Sequence, residues 1–145
     1  MSITTLSKPG GRPLPAPATI ADLMWPTTET VGEGDHAAAA SYLMHHASTT
    51  ALVVLDYRHE QPVGVITAAD LARAVADGKD LNEIHIYALL TTRPAPLPAA
   101  TSIRDAAQTM LTGGYQQVPV TGDADTIGLI DLTDVLSALP SPELL

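Results

Sequence analysis

The sequence predicts an α/β (α+β) fold made of two tandem copies of one small helix–hairpin–helix unit. The copies should be related by pseudo-twofold symmetry, with small sheets packed against helices in one compact module. Three observations predict this. First, Ile20-Ala21-Asp22-Leu23-Met24 aligns with Ile86-Tyr87-Ala88-Leu89-Leu90, 66 residues later, and Leu52-Val53-Val54 aligns with Val118-Pro119-Val120. Second, the register holds without a gap from 20–56 against 86–122; two residues then drop out, and 64–70 matches 128–134. Third, 145 residues with 46% apolar content suit a single packed module. A unit too small to bury its own apolar face packs against its copy. Sites then tend to form in the cleft between copies.

Each element follows from local chemistry. Residues 1–17 include Lys8-Pro9-Gly10-Gly11-Arg12-Pro13-Leu14-Pro15-Ala16-Pro17, whose four prolines and two glycines hold neither helix nor ladder. They read as a flexible tail. Copy one spans 18–78 and copy two 79–140, with 141–145 as a short second tail. A lead segment carries Leu23-Met24 in copy one and Leu89-Leu90 in copy two. Asp35 and Thr101 suit N-caps, so helices are expected at 36–47 and 102–111. The second should stop at Gly113-Gly114, a natural C-terminal signal. Strands follow at 51–55 and 117–121. The first has no polar residue on either face, which suits a strand buried on both sides. A polar turn leads to strands at 63–67 and 127–131, then to helices at 68–76 and 132–139. Gly78-Lys79-Asp80 joins the copies.

Composition narrows the function. The net charge of −9 disfavours nucleic acid and anionic membranes as partners. No cysteine is present, which removes disulfides, thiolate metal sites and a thiol nucleophile. No apolar run approaches spanning length, and the N-terminus has no signal-peptide core, so the expected compartment is the cytoplasm. Charged residues are only 16% of the chain, which points to self-association through uncovered apolar surface. No Gly-rich phosphate loop and no Ser-His-Asp set is visible, so no catalysis is expected.

The order apolar-x-Asp-Leu-Met, helix, Val-Pro-Val, turn, Gly-Leu-Ile-x-x-x-Asp resembles the CBS motif. Two in tandem resemble a CBS pair, or Bateman module, covering about 18–140. The resemblance implies a stand-alone regulatory pair that forms homodimers. It implies no required cofactor, but an adenosine-containing ligand (AMP, ADP, ATP or S-adenosylmethionine) held between the motifs. A partner protein would read the change in shape.

The resemblance also implies the site residues. Thr67-x-x-Asp70 matches the ribose-binding pattern, since a carboxylate at a strand-to-helix junction accepts both ribose hydroxyls. The same spacing is a capping box, and the two roles are compatible. Asp70 would face His85, Leu90, Tyr115 and Gln116 of the other copy. Asp134 would face Thr19, Met24, Thr49 and Thr50. The second copy departs from the pattern: Asp131 stands where the family usually has Thr or Ser. Two carboxylates repel phosphate, so this second cleft is expected to be the weaker binder. The pair is also a fragment of a divalent-cation site. Arg73, one turn beyond Asp70, would reach a phosphate or pair with Asp70; Arg93 and Arg104 are the other cationic candidates. With seven Lys and Arg in all, a ligand of low negative charge is favoured over ATP. His36, His45, His46, His59 and His85 share no metal spacing. Trp25 is expected to be an apolar anchor. The opposing reading is a ligand-free dimerisation or docking module with degenerate clefts.

Overall fold

The computed structural model describes residues 19–27, 29–123 and 127–139. The two proposed tails, 1–17 and 141–145, lie outside them. The strands are β1 (Trp25–Pro26), β2 (Thr30–Gly32), β3 (Ala51–Leu55), β4 (Pro62–Thr67), β5 (Leu97–Pro98), β6 (Gln117–Thr121) and β7 (Ile127–Asp131). The helices are α1 (Ala37–Ala47), α2 (Ala68–Ala76), α3 (Ile103–Gly113) and α4 (Leu132–Ala138). Short 3-10 turns at Ile20–Asp22 and Ile86–Leu89 form the lead segments.

The strands make two small sheets, ordered β2-β3-β4 and β1-β7-β6-β5. The β3–β4 and β6–β7 hairpins are antiparallel, whereas β2 and β5 add in parallel to β3 and β6. Side chains alternate across each strand. Leu52, Val54 and Ile66 point into one core, and Val118, Val120 and Ile130 into another. The alternate residues Val53 and Val65 are also buried. They face the other sheet, where β4 meets β6. β3 is buried at all five positions, as its unbroken apolar run predicts.

The lead segments cross over. Ile86 of copy two fills the core of copy one, beside Ala37, Ala40, Met44, Leu52 and Leu71. Ile20 of copy one fills the core of copy two, beside Ala106, Met110, Val118 and Val135. Both isoleucines are fully buried. Each core is thus completed by the other copy's chain. The crossing also has a backbone side: β1 pairs with β7, putting Trp25 opposite Leu129 and Pro26 opposite Gly128.

The expected N-caps shift by one residue. His36, not Asp35, caps α1, and Ser102, not Thr101, caps α3. Ser102 accepts the N–H of Asp105. α1 has no side-chain cap; its first N–H groups donate to the linker carbonyls of Ile84 (Ala37, 2.8 Å) and Leu81 (Ala38, 2.9 Å). The orphan donors of a helix start are met here by main chain from the other copy. Asp35 instead accepts the N–H of Gly32 at 2.8 Å.

Candidate functional site

The loops that lead into β3 and β6 are set by left-handed caps. Ser48 (φ 54°) ends α1 and Gly114 (φ 69°) ends α3. These turns aim Thr49-Thr50 and Tyr115-Gln116 at the strand starts. The carbonyl of Thr50 accepts the N–H of Ala68, and that of Gln116 accepts the N–H of Leu132, both over 2.8 Å. Each loop is therefore clasped to a helix start, which is where the carboxylates sit.

At the start of α2, Thr67 and Asp70 form the predicted capping box. Thr67 Oγ1 accepts the Asp70 N–H (3.2 Å) and Asp70 Oδ2 accepts the Thr67 N–H (2.9 Å). Arg73 donates to Asp70 Oδ1 at 3.1 Å. Both oxygens of this buried carboxylate thus have partners inside the protein. Three of the other residues proposed for this cleft, His85, Leu90 and Tyr115, make contacts elsewhere. His85 bonds the Gly34 carbonyl and stacks with His36 and Tyr87. Leu90 packs against the first core, beside Gly64. Tyr115 packs against the second core and over Gly113. Gln116 is exposed. Of the cationic candidates, Arg93 pairs with Glu33 at 3.3 Å and also donates to the Tyr87 carbonyl. Arg104 is exposed on α3.

At the start of α4 the structure gathers more of the proposed residues. Thr49, Thr50, Asp131 and Asp134 line one open cleft of about 420 Å³, together with Trp25, Ala51, Gln117, Leu129 and Thr133. Asp131 caps α4 through the N–H of Thr133 (2.8 Å) and accepts Gln117 Nε2 (3.3 Å). Asp134 Oδ2 accepts the indole N–H of Trp25 at 2.9 Å. Met24 joins Asp134 and Trp25 in an adjoining groove of about 440 Å³. Thr19 lines a different groove, with Ala99 and Thr121, and bridges Ser102. A larger cavity of about 540 Å³ lies between the two hairpin turns, lined by His59–Pro62 and Thr121, Gly122 and Ile127. Among its described lining residues there is no helix start, and so none of the junction carboxylates that line the cleft at α4.

Trp25 corrects an expectation. It is not an anchor in a core but is 64% exposed, and its ring borders both the cleft and the adjoining groove. Gln117, Leu129 and Thr133 were also not singled out from sequence. The repeat register held their signal: Leu129 and Thr133 sit at fixed offsets from Asp131. Among the described residues, no group of three or more His, Cys, Asp or Glu side chains is placed to hold a metal. No described helix is long and apolar enough to cross a membrane.

The fold is a tandem pair of one small unit, each copy with a carboxylate at its strand-to-helix junction. The sequence profile of the CBS domain matches residues 20–77 and again 86–141. The chain belongs to the CBS domain family, with two tandem motifs. It is 31% identical over 81 residues to the uncharacterized protein MJ1225 of Methanocaldococcus jannaschii; the match takes in 56% of this chain but only 29% of that relative. Two solved structures share the fold. The CBS domain pair of MJ0100, in complex with 5'-methylthioadenosine and S-adenosyl-L-methionine, has a TM-score of 0.67 and 21% identity, covering 85% of this chain and 95% of that one. CBSX2 in complex with AMP has a TM-score of 0.60 and 23% identity, covering 84% and 96%.

Proposed function

We propose that the chain is a regulatory, non-catalytic module that binds an adenosine derivative between its two motifs and signals to a partner protein. The observation that carries this is the cleft built by both copies: Thr49 and Thr50 from the first, Asp131 and Asp134 from the second. Carboxylates at a helix start suit ribose hydroxyls. The Asp70 cluster is the second candidate cleft, with Arg73 able to turn outward because it is more than half exposed. A ligand bridging the copies shifts their relative angle by as much as its affinity differs between the two arrangements. The working unit in this reading is a cytoplasmic homodimer.

The opposing reading is a ligand-free interaction module. It draws on the internal satisfaction of Asp70 and on the exposed Tyr42, Val75, Leu111 and Leu136 of the four helices. A thermal-shift series separates the two readings, with adenosine, AMP, ADP, ATP and S-adenosylmethionine on the wild type, Asp70→Ala and Asp134→Ala. A ligand at 100 times its Kd stabilises by about 2.7 kcal/mol. A shift lost in one aspartate variant supports the sensor and names its cleft. No shift with any of the five supports the interaction module.

A further inference from the structure

The cleft at α4 contains two carboxylates, one exposed indole and no Lys or Arg among its described lining residues. The indole and one carboxylate are joined: Trp25 Nε1 holds Asp134 Oδ2 at 2.9 Å. Asp131 stands three residues before it and is held by Gln117 and by the Thr133 N–H. These partners fix both acids in place without cancelling their charge. We propose that Trp25 and Asp131 make this cleft selective for phosphate-free nucleosides, neutral or cationic, over nucleotides. This rests on the reading of the module as an adenosine-derivative sensor and names the ligand class of that site.

The reasoning has three parts. Trp25 leaves 64% of its surface uncovered at the wall of the cleft. A flat aromatic there offers a stacking face for a purine, which strengthens binding by about tenfold or more. The indole N–H occupies one oxygen of Asp134 and orients the acid before the ligand arrives, and the other oxygen is the one that would accept a ribose hydroxyl. Asp131 adds a fixed negative charge beside it. A phosphate within a few ångströms of that carboxylate would be disfavoured by about tenfold even in a watery site. A cationic substituent at the same place would be favoured.

Trp25 is the only tryptophan in the chain, so its emission reports this cleft and the groove adjoining it. The experiment titrates wild type with adenosine and with AMP, following Trp25 emission and, in parallel, calorimetry. Calorimetry is repeated on Trp25→Ala, Asp131→Asn, Asp134→Ala and Asp70→Ala. Asn keeps the cap of α4, so Asp131→Asn changes charge with little risk to the fold. The expected result is adenosine binding at least tenfold tighter than AMP, with a change in Trp25 emission. Trp25→Ala should weaken adenosine about tenfold, and Asp131→Asn should narrow the adenosine-to-AMP affinity ratio about tenfold. Equal affinities in the wild type, or an unchanged ratio in Asp131→Asn, overturns the proposal. Binding lost in Asp70→Ala but intact in Asp134→Ala and Trp25→Ala also overturns it, while the sensor reading stands. If neither ligand binds, both fall.

Discussion

The indole N–H of Trp25 donates to Asp134 Oδ2 across 109 residues of sequence, at 2.9 Å. The bond ties β1, which belongs to copy one, to α4 of copy two. It is solvent-exposed, so its net worth is small, and Trp25→Phe should lower stability by about 1 kcal/mol or less. Urea denaturation of the variant checks this. A loss of several kcal/mol would mean that Trp25 is a packing residue.

The crossed lead segments predict that neither copy folds alone. Ile20 and Ile86 are each fully buried in the opposite copy's core. Ile86→Ala should cost about 2–5 kcal/mol, and Ile20→Ala a similar amount. A fragment of residues 19–80 lacks Ile84, Ile86 and Leu89, and its circular dichroism should show no cooperative melt. A sharp melt in that fragment would contradict the crossing.

Thr67→Ala should cost about 1 kcal/mol by removing half of the capping box. The Arg73–Asp70 pair adds little, because Arg73 is largely exposed. Arg73→Ala should therefore be nearly neutral in a thermal melt, while Thr67→Ala is not.

Gly128 lies where the crossing chain comes closest. A Cβ there would meet the Met24 side chain and stand 3.1 Å from the Trp25 carbonyl oxygen. The methionine end can move, but the carbonyl belongs to the β1–β7 pairing. Gly128→Ala should destabilise by about 1–3 kcal/mol in chemical denaturation. It should also alter Trp25 emission, since the strain falls on its own backbone.

Asp56 gives a pH prediction. Its Oδ1 accepts the N–H of Glu60 (2.9 Å) and Arg58 (3.1 Å) in the β3–β4 turn. The Glu60 bond is the largest cause that holds its carboxyl below the usual carboxylate value. A depressed folded value stabilises the fold above the unfolded pKa, about 3.9. That contribution is lost as the pH falls through the lower folded value. An NMR titration of the Asp56 carboxyl should give a midpoint below that of a free aspartate. A midpoint at or above it would contradict the turn geometry.

Much of the fold was legible in the sequence because the repeat exposed it twice. β3, β6, β7 and α2 lie where the apolar runs and caps place them. The short strands β1, β2 and β5 were not legible. Each has two or three residues, and its form comes from pairing with a distant partner rather than from its own propensity. The cap of α1 was misplaced for a similar reason: Leu81 and Ile84, more than forty residues away, supply its acceptors. At the site, the resemblance to the CBS motif picked out Thr49, Thr50, Asp131 and Asp134, which line one cleft. It missed Trp25, whose role depends on how the lead segment crosses to β7.

The most direct test of the central claim is an amide NMR spectrum of the labelled chain titrated with adenosine. The account predicts shifts concentrated at Thr49, Thr50, Gln117, Thr133 and Asp134, together with the Trp25 indole N–H. Shifts confined to other surfaces, or none at saturating ligand, would contradict an adenosine-binding cleft at the junction of the two copies.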